Sequence, residues 1–213
     1  MKINTRTVRQ AMLPTLAVAA LAAGCGSSSS SSKSSAAANA TDRAFVQQMI
    51  PHHEMAVQMA QSAQKQGQHA QIKTLAASII TAQDREIAQM KPLASQISVT
   101  PDQMPMGGSM TGGHMMGDAQ ALGMSMDQMG MSMNMSSLDT AKPFDRSFID
   151  MMIPHHQGAI RMARAELAKG SDPQLQTIAK GIITAQTNEI TEMNSWRSKW
   201  FGAPSPAGGV PTA

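Results

Sequence analysis

The chain has 213 residues, with 17 Lys and Arg against 14 Asp and Glu, and it contains 21 Met, one Cys, four Phe, two Trp and no Tyr. A single Cys cannot form a disulfide within the chain and cannot build a cysteine-based zinc or iron–sulfur site. With so few aromatic rings we expect no base-stacking surface and no nucleic-acid partner. The length suits one domain or two small ones, and the excess of Met needs an explanation.

Residues 1–24 have the organisation of a lipoprotein signal peptide. Lys2, Arg6 and Arg9 precede an apolar run over residues 11–23, which is shorter than the ~20 residues of a membrane-spanning helix. Small residues then lead to Cys25, where a bacterial lipoprotein would be cleaved and lipidated. The alternative is an ordinary secretory signal followed by a chance Cys. Removal of the segment leaves 14 basic and 14 acidic residues, so the charge of the mature chain indicates no anionic partner.

A stretch rich in Ser and Ala, residues 25–40, follows the signal and is predicted to be a flexible tether. Such a tether would hold a folded domain away from the membrane in which a lipid on Cys25 is anchored. We therefore expect an extracytoplasmic protein that is lipid-anchored to the cell membrane. If Cys25 carries no lipid, the protein would be secreted or periplasmic.

Two copies of one unit make up most of the remaining chain. Residues 42–93 and 145–196 align without a gap at an offset of 103 positions, with 23 identities in 52. Apolar residues recur at helical spacing in both halves of each unit, and Gly67 and Gly170 mark the turns between the halves. Two helical hairpins, residues 41–93 and 144–200, predict an all-α four-helix bundle.

The ends and the interior of the first helix in each unit carry further signals. Thr41 with Asp42, and Asp145 in the second unit, are predicted N-caps. Pro51 and Pro154 lie within the predicted helices. Each proline either bends its helix beside the following His-His pair or marks a later helix start.

The insert between the units, residues 94–143, combines the Gly, Ser and Asp of a flexible linker with eleven Met. Closely spaced thioethers on a flexible chain suit a soft cation and bind it without losing a proton. The alternatives are a low-complexity linker or a sacrificial target for oxidants. The candidate donors are Met104, Met106, Met110, His114, Met115, Met116, Met124, Met126, Met129, Met131, Met133 and Met135. The Gly/Pro-rich tail, residues 201–213, is predicted to be disordered.

The pairs His52–His53 and His155–His156 stand at the same place in the two units, with Met on adjacent helical turns. Imidazole and thioether together suit Cu(I) or Ag(I), whereas the alternative is a Met-packed core with surface histidines. Equal distance from the hairpin turn places Glu86 near His53, where it would orient the imidazole or remain a solvated charge. The candidate donors are Met49, His52, His53, Met55, Met59, Glu86 and Met90, and then Met152, His155, His156, Met162, Glu189 and Met193.

Two enzyme classes lack their motifs. A di-iron carboxylate bundle needs a Glu three residues before a His on two of its helices, and no Glu stands three residues before any of the paired histidines. No motif supports a Ser or Cys nucleophile either. We therefore expect no catalytic residues.

The linked motifs D-R-x-F, M-I-P-H-H, A-x-x-M-A and I-x-x-A-Q-x-x-E-I-x-x-M resemble the family catalogued as domain of unknown function 305, which includes CopM-like copper-binding proteins. The resemblance covers residues 42–200 apart from the insert. It implies a ferritin-like four-helix bundle that binds Cu(I), Cu(II) or Ag(I) through Met and His. The residues that it points to are Met49, His52, His53, Met55, Met59 and Met90, and Met152, His155, His156, Met162 and Met193. Gly158 stands where the first copy has Met55, which puts the equivalence of the two sites in doubt.

These features predict a lipid-anchored protein that binds copper, with Cu(I) favoured and Ag(I) as a substitute, for sequestration, resistance or handover. The expected partners are metal ions, the membrane through the lipid, and a copper exporter or another envelope copper protein. The main alternative is a non-metal envelope interaction or stress module whose Met pack the core. A ferritin-like metal oxidase is a further alternative.

Overall fold

A computed structural model describes residues 37–101 and 114–212, and within these ranges every regular element is a helix. Four long helices account for most of them, α1 (Ala40–Gln66), α2 (Ala70–Gln96), α5 (Phe144–Lys169) and α6 (Pro173–Phe201), and two short ones, α3 (His114–Leu122) and α4 (Ser136–Thr140), lie between the pairs. The prediction of an all-α bundle is confirmed. No helix in the described ranges is both long and apolar enough to cross a membrane.

The long helices pack as two antiparallel hairpins, α1 with α2 and α5 with α6, and α1 lies against α5. The short turns after Gln66 and Lys169 force each pair to run antiparallel. Each helix buries one apolar stripe, as the helical periodicity predicts. Among the described residues, nine Met are buried in the core: Met49, Met55, Met59, Met90, Met129, Met131, Met152, Met162 and Met193.

The helices α1 and α5 both continue across the proline that precedes their histidine pair. Pro51 lies inside α1 and Pro154 inside α5, so the alternative of a later helix start is wrong. Each proline lacks the N–H that would bond to the preceding turn. In both repeats the proline that lacks this hydrogen bond lies directly before the His-His pair.

The predicted N-caps are wrong, because the helices begin two or three residues earlier. Asn39 caps α1 by accepting from the N–H groups of Thr41 and Asp42, while Asp42 accepts from the N–H of Asn39, which is a capping box. Pro143 occupies the corresponding position before α5, and it makes no side-chain cap.

The two aspartates instead tie each repeat to the other. Asp145 accepts from the backbone N–H of Gln68 and of His69 at the turn of the first hairpin, at 2.9 and 2.8 Å. Asp42 accepts from the N–H of Ser171 and of Asp172 at the turn of the second hairpin, at 2.9 and 3.0 Å. Each aspartate therefore satisfies helix-terminal donors of the opposite hairpin, which fixes how the two hairpins dock.

The described parts of the insert and of the tail make specific contacts with the bundle. The helix α2 continues to Gln96, past the predicted repeat boundary at residue 93, and α3 packs against α1. Residues 202–212 belong to the tail that was predicted to be disordered, and the structure gives them contacts with α5. Gln157 donates to the carbonyls of Ala207 and Gly209, and Arg164 donates to that of Pro211. These hydrogen bonds hold the tail against α5.

Candidate metal centre

A layer of four histidines crosses the middle of the bundle. His52 and His53 on α1 and His155 and His156 on α5 are all 0% exposed, so the alternative of surface histidines is wrong. We call these four residues the histidine layer. A buried imidazole normally finds a hydrogen-bond partner for both ring nitrogens, so the partners of these eight nitrogens define the chemistry of the layer.

Three of the four rings are held through Nε2. His53 donates to Glu86 Oε2 at 2.7 Å, and His156 donates to Glu189 Oε2 at 2.6 Å. His52 donates to the backbone carbonyl of Met129 at 2.9 Å. Because these oxygens accept the hydrogen bond, the proton of each neutral ring lies on Nε2 and the lone pair lies on Nδ1.

The Nδ1 atom of every histidine in the layer is buried without a hydrogen-bond partner, and His155 lacks a partner on Nε2 as well. A buried polar atom without a partner costs about 1–3 kcal/mol. Holding one ring nitrogen with a carboxylate or a carbonyl while the other stays available is the arrangement of metal-ligating histidines. The layer therefore offers up to four imidazole lone pairs to a ligand.

The surroundings of His52 and His155 favour their uncharged form. Burial, reinforced by the neighbouring histidines His53 and His156, lowers the pKa of His52 well below its ordinary value. Burial and the adjacent His52 lower the pKa of His155 in the same direction. Neutral imidazole is the form that coordinates a metal ion.

His52 and His155 lie ring against ring across the interface of the repeats, with centroids 3.6 Å apart and ring planes inclined by 30°. This contact leaves no space for an ion between the two ring faces. Among residues 37–101 and 114–212, no three His, Cys, Asp or Glu side chains form a group that could hold a metal ion as they stand. A metal held in the layer therefore needs Met sulfur among its ligands or a rearrangement of the rings.

Buried thioethers are abundant on the same four long helices. The predicted donors of the two hairpins are all almost fully buried, at 0–2% exposure, and they are Met49, Met55, Met59, Met90, Met152, Met162 and Met193. Their burial fits both core packing and soft-metal binding. Their role as ligands stays a prediction.

The insert contributes to the core as well. Met129 and Met131 are 0% and 6% exposed, although they were predicted to lie on a flexible chain. Four others are half-buried, Met124, Met126, Met133 and Met135, and Met116 is 83% exposed. The predicted sites at Met104, Met106, Met110 and Cys25 lie outside the described residues, as does the signal peptide, and the side chains of His114 and Met115 are not described.

Sequence reasoning gave no role to two buried glutamines that stand near the carboxylates bonded to the layer. Gln83 and Gln186 stand one turn before Glu86 and Glu189, and both are 2% exposed. Neither their amide nitrogens nor their amide oxygens have a hydrogen-bond partner. Their identical place in the two repeats was visible in the sequence, but glutamine is mostly found on protein surfaces.

Fold and layer together define a class, the duplicated four-helix bundle with paired, buried histidines. The model of the family described as domain of unknown function (DUF305) matches residues 42–197, and a second match spans residues 24–94. The chain belongs to the DUF305 family.

Solved structures similar to this chain include CopM in its Cu(I)-bound form, which is 32% identical with a TM-score of 0.60 over 76% of this chain and 98% of CopM. CopM has also been solved in Cu(II)-bound and Ag-bound forms. A DUF305 fragment from Deinococcus radiodurans is 25% identical with a TM-score of 0.59, over 77% of this chain and 99% of the fragment. A DUF305 protein from Streptomyces coelicolor, 21% identical with a TM-score of 0.64 over 78% of this chain and 96% of its own, shares the fold.

A shorter match joins the chain to Uncharacterized protein L153 of Acanthamoeba polyphaga mimivirus. The two are 43% identical over 51 residues, which cover 24% of this chain and 34% of that protein. The chain thus spans about a third of the length of that relative.

Proposed function

We propose that this protein binds copper ions, with Cu(I) favoured and Ag(I) as a substitute, and that it sequesters copper or hands it over. The observation that carries the proposal is the set of four buried Nδ1 atoms without hydrogen-bond partners. Three of their rings are oriented from the other side by Glu86, Glu189 and the carbonyl of Met129. A bundle without a ligand gains nothing from burying these atoms.

The donor types near the layer favour a soft metal ion. Imidazole nitrogen suits Cu(I), Cu(II) and Zn, whereas thioether sulfur is a soft ligand that favours Cu(I) and Ag(I). Met49 and Met152, both fully buried, stand three residues before His52 and His155 on the same helices. CopM, a similar protein of the same fold, has been solved with Cu(I), Cu(II) and Ag, which supports the same ions here.

The insert supplies a second class of donor. Its half-buried and exposed methionines carry no competing hydrogen bonds and need no deprotonation to bind. We expect them to capture a soft ion at the surface. They belong to the same insert as Met129, which contacts His52 in the interior.

Storage or transfer fits the donor set better than catalysis. The two carboxylates beside the layer, Glu86 and Glu189, each accept a hydrogen bond from a histidine. A di-iron centre instead uses four carboxylates as ligands. We further propose that the protein acts outside the cytoplasm, held at the membrane by a lipid on Cys25. A copper exporter or another envelope copper protein would be its partner.

An anaerobic Cu(I) titration against a chromogenic chelator tests the proposal. His53→Gln and His156→Gln remove the Nδ1 lone pair, while the glutamine amide still donates to Glu86 or Glu189 from the place of Nε2. We expect the double variant to lose the tightest Cu(I) equivalent and to keep its fold by circular dichroism. Replacing Met124, Met126, Met133 and Met135 by Leu should remove only weaker equivalents. If the unmodified mature chain cannot compete for Cu(I), the proposal is wrong.

A further inference from the structure

A notch in α5 at Gly158 holds the backbone of the insert. A Cβ atom at this position would lie 2.0 Å from the carbonyl oxygen of Met129, 2.2 Å from its carbonyl carbon and 2.7 Å from the nitrogen of Gly130. Real Cβ atoms essentially never approach so closely. Any side chain at position 158 would therefore push the insert out of the notch.

The insert is fitted to the notch from its own side. Gly130 has a φ of +73°, a conformation that favours glycine. A Cβ there would come 2.9 Å from the carbonyl oxygen of Pro154 and 3.0 Å from the Cα of His155. Two glycines thus face each other across a backbone-to-backbone contact, one on each segment, directly beside the histidine layer.

The duplication shows what the notch replaces. At the offset of 103 positions, Gly158 corresponds to Met55, which is 2% exposed in the core. The first repeat therefore has a buried thioether on its helix where the second has none. The backbone carbonyl of Met129 lies where a side chain at position 158 would begin, and Met129, itself a methionine, is 0% exposed.

Met129 also contacts the other repeat, because its carbonyl accepts the hydrogen bond from His52 Nε2 at 2.9 Å. The same residue lies against α5 at the notch and against α1 at the histidine layer. This double contact fixes its position relative to both His52 and His155.

We propose that Met129 is the thioether donor of the second-repeat metal site, in the place that Met55 has in the first. This inference rests on the proposed copper-binding function. A neutral thioether completes a Cu(I) site without releasing a proton, so exchanging a helix Met for an insert Met preserves the chemistry. The buried centre then includes part of the insert.

Three matched Met→Leu variants test the inference, since leucine keeps the volume and removes the sulfur. In the anaerobic Cu(I) titration, Met129→Leu and Met55→Leu should each weaken one Cu(I) equivalent by about tenfold or more. Met116→Leu, at an 83% exposed position, should leave both of these buried Cu(I) equivalents unchanged and affect at most a weaker surface equivalent. If Met129→Leu behaves like Met116→Leu while Met55→Leu loses affinity, the inference is overturned and the proposed function stands.

A second pair of variants tests whether docking of the insert at Gly158 is needed for binding. Gly158→Ala should expel the insert and reproduce the loss seen for Met129→Leu. Gly181→Ala lies on α6, where an added Cβ meets nothing within 4 Å, and it should leave binding unchanged. Retention of all Cu(I) equivalents by a folded Gly158→Ala chain would contradict the inference. If Gly158→Ala does not fold, the Met129→Leu result decides alone. Failure of the unmodified chain to bind Cu(I) would overturn the proposed function itself.

Discussion

Glu166 offers a test of the packing that depends on no metal. Its side chain is 0% exposed, and its carboxyl oxygens accept no hydrogen bond. The carboxyl group lies against the turn at Gly170, near Asp42 and Asp172. Burial, a hydrogen bond to Asp42 and the two nearby negative charges raise the pKa of Glu166 from 4.5 to about 8. The first repeat has Ala63 at the equivalent position, so the carboxyl is peculiar to the second hairpin.

The pKa of the neighbouring Asp42 moves the other way. Burial alone would raise it, but hydrogen bonds from Ser171, from the backbone of Asp172 and from Asn39 outweigh burial, and the pKa lies below 3.8. At neutral pH the pair therefore consists of an ionised Asp42 and a protonated Glu166 that donates to it.

The sign of the effect on stability follows from the raised pKa of Glu166. Between pH 4.5 and about 8 the folded chain keeps a proton that the unfolded chain has released, so stability falls as pH rises. One pKa unit corresponds to about 1.4 kcal/mol, and the whole shift to about 5 kcal/mol. Glu166→Gln removes this titration and keeps a donor toward Asp42. We expect the variant to gain about 1.4 kcal/mol per pH unit relative to the unmodified chain across this window.

Urea unfolding of the metal-free chain and of Glu166→Gln at pH 5, 6, 7 and 8 measures the difference. Other titrating groups cancel, because the two chains differ at one residue. Parallel stability profiles would show that Glu166 ionises normally and would refute the packing described around it.

Two further predictions follow from burial and capping. Asp145→Ala should lower the free energy of unfolding by about 2–3 kcal/mol, since the N–H groups of Gln68 and His69 lose their acceptor; urea unfolding measures this, and a loss below about 0.5 kcal/mol would contradict the account. Under brief peroxide treatment, Met116 should be oxidised well before the buried Met49, which peptide mass spectrometry measures; equal rates would argue against the described burial of Met49.

The bundle was predictable from the sequence because its signals are local and repeated. Apolar spacing and the duplication identified four helices, and counting from the turn placed Glu86 beside His53, a contact that is present at 2.7 Å. Such counting works in an antiparallel hairpin because both helices rise by the same distance per residue.

The remaining features depend on contacts that sequence periodicity does not encode. Asp42 and Asp145 look like N-caps in sequence, but they cap the opposite hairpin, a long-range pairing. The docking of Met129 at Gly158 was hidden because a glycine on a helix gives no sign of what occupies its missing side chain.

The central claim is that the first copper ion enters the buried centre and not the surface methionines. Copper X-ray absorption on the mature chain loaded anaerobically with one equivalent of Cu(I) tests it most directly. The account predicts a mixed set of imidazole nitrogen and thioether sulfur ligands, with a smaller nitrogen contribution in the His53→Gln, His156→Gln chain, which keeps only His52 and His155 of the layer. A sulfur-only spectrum that is unchanged in that variant would contradict it.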